Sequence, residues 1–129
     1  MESLLETDCI FCNLSEERII YENDLFLVID DGYPVTQGHQ LIIPKRCVKS
    51  WFELNQQETS SLNQLLHRQK QFLEALDSSI TGFNIGMNCG ESAGQTVMHC
   101  HVHLIPRREG DMDEPRGGVR GVIPERQAY

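Results

Sequence analysis

Three of the five histidines, His99, His101 and His103, stand at every second residue of the run Gln95-Thr96-Val97-Met98-His99-Cys100-His101-Val102-His103-Leu104-Ile105. That is the period of a β-strand with two unlike faces, one of imidazole and one apolar. A rise of about 3.3 Å per residue puts neighbouring imidazoles roughly 6.5–7 Å apart, close enough to serve one substrate or to divide between two sites. Three chemistries suit such a strip. Neutral imidazoles on one face chelate zinc, which calls for a third ligand nearby. Alternatively one imidazole attacks phosphorus while the others, with backbone N–H groups and a hydroxyl, hold the phosphate oxygens. Or buried histidines merely satisfy one another's hydrogen bonds. Gly94, Gln95 and Thr96 lie just upstream and offer close backbone approach, an amide and a hydroxyl. An anion site needs these, and pure chelation does not.

A second group of candidate residues opens the chain, Cys9-Ile10-Phe11-Cys12. A Cys-x-x-Cys pair is half a zinc site, a redox pair or chance. Cys100 alternates away from the histidine face and reads as core, and nothing in its surroundings marks Cys89 as reactive.

The elements that must position these groups are legible from their periods. Ile19-Ile20-Tyr21 and Leu25-Phe26-Leu27-Val28-Ile29 are β-rich runs around the turn residues Glu22-Asn23-Asp24, which predicts an antiparallel hairpin. Asp30-Asp31-Gly32-Tyr33-Pro34 breaks the second run, and His39-Gln40-Leu41-Ile42-Ile43-Pro44 forms a third strand ended by proline. Asn55 to Glu58 reads as a capping box. Leu62, Leu65, Leu66, Leu73 and Leu76 then follow at helical spacing, which predicts a packing helix of about 20 residues. Phe83 to Met87 is a fourth strand, and the loop Asn88 to Gly94 delivers the chain to the histidine strand. After Pro106, Arg107, Arg108, Arg116 and Arg120 alternate with glycine and proline in a tail with neither period. Its arginines suit either distal phosphates of a long substrate or the acids Asp111, Asp113 and Glu114.

Composition narrows the partners. A chain of 129 residues, 40% hydrophobic, suits one domain spanning residues 1–129 without disulfide or metal help. The net charge of −8 resides wholly in residues 1–31, where Glu2, Glu6, Asp8, Glu16, Glu17, Glu22, Asp24, Asp30 and Asp31 face Arg18 alone. From residue 32 onward acids and bases balance, so the histidine half can host a basic pocket. No basic face of the kind a nucleic-acid backbone demands is present. No apolar stretch approaches the roughly 20 residues of a membrane span, and Met1 to Asp8 lacks a secretory pattern. The chain is therefore expected in the cytoplasm, with its five cysteines reduced.

The histidine run resembles the signature of the histidine triad family of nucleotide hydrolases and transferases, in which Gln-Ser/Thr-Val precedes three histidines separated by apolar residues. Asp31, Gly38-His39 before the apolar strand ending Ile43-Pro44-Lys45, the central helix, and Asn88 with Gly90 follow the family's order. The resemblance covers a core of about residues 9–108 and leaves 109–129 as a C-terminal arm.

The resemblance implies an α+β fold, an antiparallel sheet of about five strands packed by one main helix, and a homodimer that extends the sheet. It implies His101 as a nucleophile toward the α-phosphorus, forming a nucleotidyl-histidine. His103 and Thr96 would contact phosphate or leaving group, Gln95 and Asn88 would line the same pocket, and His39 would help fix the proton on His101. Asp31 would accept the ribose hydroxyls, with Ile29 and Leu27 at the base. A subset of the family with an amino-terminal Cys-x-x-Cys implies structural zinc on Cys9, Cys12, Cys47 and His99. No catalytic metal or organic cofactor is implied. The expected substrate is a dinucleoside polyphosphate such as diadenosine tetraphosphate or a related adenylated compound. The alternatives are a nucleoside phosphoramidate, a phosphorylase or nucleotidyltransferase reaction, and a zinc-stabilised nucleotide-binding module with negligible turnover.

Overall fold

The structure, a computed structural model, describes residues 9–129. Glu2, Glu6 and Asp8, and the reading of the amino terminus as free of a secretory pattern, lie outside the described residues. Asn23 makes the first turn, its side-chain oxygen accepting the N–H groups of Leu25 at 3.0 Å and Phe26 at 2.8 Å. An Asn side chain that captures backbone N–H groups this way replaces a backbone turn bond. The chain thereby folds β1 (Ile19–Glu22) back on β2 (Phe26–Asp30) as an antiparallel hairpin. β3 (Gln40–Pro44) pairs antiparallel with β2. β5 (Val102–Arg108) then inserts between β3 and β4 (Ile80–Gly86), giving the order β1-β2-β3-β5-β4 with every pair antiparallel. The strand carrying His103 thus sits inside the sheet, opposite Leu41 on one side and Gly86 on the other.

One helix, α1 (Gln56–Leu76), packs the sheet. Its capping box is formed: Asn55 accepts the Glu58 N–H at 2.8 Å and Glu58 accepts the Asn55 N–H at 2.9 Å. Leu62 and Leu65 bury against Phe26, Val28, Ile42 and Val102, each full burial contributing about 1.5–3 kcal/mol. Leu73 packs with Ile80 and Leu104. Leu76, expected on this stripe, is the last residue of the helix and is 70% exposed. Glu58 also accepts from Arg46 at 2.7 and 3.1 Å, which fastens the loop after β3 to the helix.

The opposite face of the sheet is not bare imidazole. Phe11 from the Cys9–Cys12 turn joins Ile29, Leu41 and Ile43 in a second apolar cluster. The expected histidine strand is also shorter than its period suggests, since β5 begins only at Val102. His99, Cys100 and His101 form a lead-in whose backbone and side chains are bound elsewhere: Cys100 N–H donates to the Val48 carbonyl at 2.7 Å, and His99 Nε2 bonds to the Pro44 carbonyl. Among the described residues no helix is long and apolar enough to cross a membrane.

Candidate active site and metal centre

Each histidine of the strip has one ring nitrogen fixed by the backbone or by another imidazole, and these bonds decide what the other nitrogen can do. His99 Nε2 lies 2.8 Å from the Pro44 carbonyl oxygen. An oxygen only accepts, so Nε2 carries the proton and Nδ1 keeps its lone pair. That lone pair faces Cys9 Sγ at 3.2 Å and Cys12 Sγ at 3.4 Å. The same logic applied to His101 gives the reverse nitrogen: Nδ1 donates to the His99 carbonyl at 2.8 Å, so in the neutral ring Nε2 carries the lone pair. His39 Nδ1 accepts the Val35 N–H at 3.0 Å, so its proton is on Nε2, 2.9 Å from His103 Nδ1. His103 then holds its own proton on Nε2. Burial lowers the pKa of His99, His39 and His103 below the ordinary histidine value, and the neighbouring His101 adds to the effect at His103. All three are therefore neutral near pH 7, the form these bonds require.

The expectation that His39 fixes the proton on His101 is corrected by this geometry. His39 acts on His103, and the His99 carbonyl orients His101. The rings of His101 and His103 lie 5.4 Å apart, closer than a flat strand places them, because the lead-in bends before β5 begins.

Among the described residues two side-chain groups converge tightly enough to hold a metal ion: Cys9, Cys12, Cys47 and His99, and Asp31, His39 and His103. The hydrogen bonds separate them. In the first, three thiols and a free imidazole nitrogen converge within 4.8 Å of one another. Tetrahedral zinc with Zn–S of about 2.3 Å and Zn–N of about 2.0 Å requires such a set, and His99 Nε2–H on a backbone carbonyl is the outer bond that zinc-ligating imidazoles make. Burial first, then hydrogen bonds with Cys9 and Cys47 and their charge, push the Cys12 thiol up to about 12. In the second group the converging nitrogen of His39 already bears the proton demanded by the Val35 bond, so a metal there would displace it. The cysteine site fits zinc, and the Asp31 cluster is a hydrogen-bonded relay.

The remaining expected residues fall as follows. Asp31 Oδ2 lies 3.3 Å from His39 Nε2, while its Oδ1 accepts the Tyr33 N–H at 2.8 Å. Gln95 is buried with its amide spent inside the protein, accepting from Gly90 N–H and donating to the Lys49 and Val97 carbonyls. It holds the glycine loop closed instead of facing a ligand. Ile29 is wholly buried in the Phe11 cluster, while Leu27 is half-buried. Thr96 is exposed and Asn88 half-buried, and neither side chain has a hydrogen-bond partner among the described residues. Asn88, His103 and Ile105 face a cavity of about 550 Å³ whose far wall is the C-terminal arm.

Phe11 was not anticipated. Inside the Cys9–Cys12 turn, its ring meets His101 edge-on at 5.0 Å and His99 at 6.0 Å. An apolar residue between two candidate ligands was the available signal.

Residues 14–110 match the family model described as the HIT domain. The chain is 36% identical to an uncharacterized HIT-like protein of Borreliella burgdorferi, over 81% of this chain and 78% of that protein. It is 35% identical to the asymmetrical bis(5'-nucleosyl)-tetraphosphatase of Schizosaccharomyces pombe, over 75% of this chain and 53% of that one. A Zn-bound histidine triad family protein from Mycobacterium smegmatis superposes with a TM-score of 0.76 at 32% identity, covering 84% of this chain and 81% of that chain.

Proposed function

This chain belongs to the histidine triad family, and we propose that it hydrolyses a nucleotide derivative through a nucleotide held covalently on His101. One observation carries the reading: the 2.8 Å bond from His101 Nδ1 to the His99 carbonyl, which leaves the Nε2 lone pair for attack. In the first half of the reaction an Nε2–P bond forms at the α-phosphorus. The bond to the leaving group breaks, and its electron pair departs with that group. Water's hydroxyl then bonds to phosphorus as the Nε2–P bond breaks, its electron pair returning to the imidazole, and water's proton goes to the leaving group. His103 Nε2–H, the Thr96 hydroxyl and the Asn88 amide hold the phosphate oxygens as charge develops. His39 keeps the proton of His103 on its outer nitrogen. Asp31 accepts the ribose hydroxyls and Leu27 sides the base. Residues 9–108 are the catalytic unit and 109–129 an arm of the same domain.

The substrate we assign first is a dinucleoside polyphosphate or related adenylated compound, supported by the likeness to the tetraphosphatase. A nucleoside phosphoramidate is the second reading, favoured by the uncharged lining of the cavity beside His103. Structural zinc on Cys9, Cys12, Cys47 and His99 would anchor the amino-terminal turn, and with it Phe11, against the lead-in. The hydrolysis needs no catalytic metal or organic cofactor. The protein works as a homodimer joined along the β4 edge, where Ile85 is exposed, and in a reducing compartment, in keeping with five cysteines that form no disulfide. Steady-state rates on diadenosine tetraphosphate and adenosine 5′-phosphoramidate, with and without inorganic phosphate, test the reading. Turnover lost by at least about 10³-fold in His101→Ala supports it. Tight nucleotide binding without turnover makes the protein a binding module, and a phosphate-dependent rate makes it a phosphorylase.

A further inference from the structure

Of the five cysteines, Cys12 is exposed, Cys9, Cys47 and Cys89 are half-buried, and Cys100 is buried. The most accessible sulfur of the chain therefore belongs to the converging set that fits zinc, while the imidazole of that set, His99, is wholly buried. Oxidation of cysteine follows thiolate character and exposure. Holding a metal requires the thiolate form, and the position of Cys12 supplies the exposure.

The local backbone decides which second sulfur Cys12 can reach. Its N–H donates to the Cys9 carbonyl at 3.1 Å, and the Asn13 side-chain amide donates to the same oxygen at 2.9 Å. A turn closed in this way brings its first and last Cα atoms within about 7 Å, which overlaps the range of about 4.4–6.8 Å that a disulfide spans. The two Sγ atoms already lie within 4.8 Å of each other. Cys47 is placed differently. Its neighbours are pinned on both sides, Arg46 by Glu58 at 2.7 Å and the Val48 carbonyl by the Cys100 N–H at 2.7 Å. Cys9 and Cys12 can join by moving the turn alone, whereas Cys47 would have to bring its loop with it.

Phe11 is the one buried side chain of the Cys9–Cys12 turn, packed with Ile29, Leu41 and Ile43 and edge-on to His101 at 5.0 Å. Ordering four backbone residues costs more than the burial of one phenylalanine returns. The sulfur ligands facing His99 Nδ1 are thus what keeps the turn, and Phe11 with it, against the nucleophile.

We propose that Cys9 and Cys12 are a peroxide-sensitive pair whose oxidation to a disulfide dismantles the metal site and withdraws Phe11 from His101. One thiolate attacks a peroxide oxygen, the O–O bond breaks, and hydroxide leaves a sulfenic acid on that sulfur. The second thiolate attacks the sulfenic sulfur, the S–S bond forms and a second hydroxide leaves. Two electrons pass from the two sulfurs to hydrogen peroxide, and two protons from solvent turn the hydroxides into water. Cys47 and His99 remain, two ligands where a structural zinc site needs four. The effect on turnover rests on the nucleotidyl-His101 reading, and the disulfide and metal release do not.

The test uses the full chain loaded with zinc. Hydrogen peroxide should release about one zinc per chain to a chromogenic chelator, with a Cys9–Cys12 disulfide in the peptide mass map. The NMR signals of the His101 ring protons should shift as the Phe11 ring leaves, and kcat on diadenosine tetraphosphate should fall at least about tenfold. Dithiothreitol with added zinc should reverse all of these. Zinc retained under peroxide, or released with the disulfide mapped elsewhere, overturns the pair. Release through Cys9–Cys12 with the His101 signals and kcat unchanged overturns the link through Phe11. Cys12→His keeps four ligand atoms but removes the pair, so peroxide should release its zinc at least about tenfold more slowly, and equal rates overturn the assignment. If that variant loads no zinc, the wild-type peptide map decides alone. If no adenylated substrate is turned over, the nucleotidyl-histidine reading fails, and zinc release, peptide map and His101 signals still decide the switch.

Discussion

The carbonyl oxygen of His99 lies 2.8 Å from Nδ1 of His101. The residue whose side chain faces the cysteines therefore also orients, through its backbone, the ring assigned to attack phosphorus. Phe11 adds a second link, touching both rings from inside the Cys9–Cys12 turn. Metal centre and nucleophile are two ends of one short stretch of chain, and several consequences follow from their coupling.

Purified protein should carry about one zinc per chain, lost in Cys47→Ala and retained in His103→Ala. Loss of a folded-state ligand site of this kind should cost at least about 3 kcal/mol, lowering Tm by about 10 °C or more for a domain of this size. Zinc kept by Cys47→Ala and lost from His103→Ala would move the metal to the Asp31, His39 and His103 cluster.

Phe11→Ala should destabilise the chain by about 3 kcal/mol, the usual cost of an aromatic deletion in a core. At a temperature where the variant remains folded and zinc-loaded, kcat should fall while KM changes little, because the lost contact is with His101 rather than with ground-state substrate. Phe11→Tyr should recover most of kcat. Stability lost with kcat intact would reduce Phe11 to a packing residue.

His39 and His103 have pKa values depressed by burial below 6.5. The unfolded chain binds those protons first, so stability is full above about pH 6.5 and declines as pH falls from there toward the folded-state values. Tm measured between pH 8 and 5 should drop over that window, and the drop should be shallower in His39→Asn. A Tm that rises on acidification across the same range would contradict the neutral relay.

Much of this was legible locally. The hairpin turn at Asn23, the Asn55–Glu58 capping box, the leucine stripe of α1 and the Pro44 end of β3 follow from residue types within a few positions of one another. What escaped is set by contacts distant in sequence. β5 begins late because Pro44 and Val48 carbonyls claim His99 and Cys100. His39 serves His103 rather than His101 because Leu41 pairs with His103 across β3 and β5. Gln95 faces inward because Lys49 offers its carbonyl there. The arm has no period because its order comes from Gln127 and Tyr129 folding back on Gly117, Arg116 and Arg120.

The central claim is a nucleotide bonded to His101. Full-length protein incubated with an adenylated substrate labelled at the α-phosphate, quenched in base to preserve the phosphorus–nitrogen bond and digested for peptide mass analysis, tests it directly. The account predicts a single adenylyl group on His101, absent from His101→Ala and still formed in Asp31→Ala. Turnover without any trapped adduct, or an adduct mapped to His103, would contradict it.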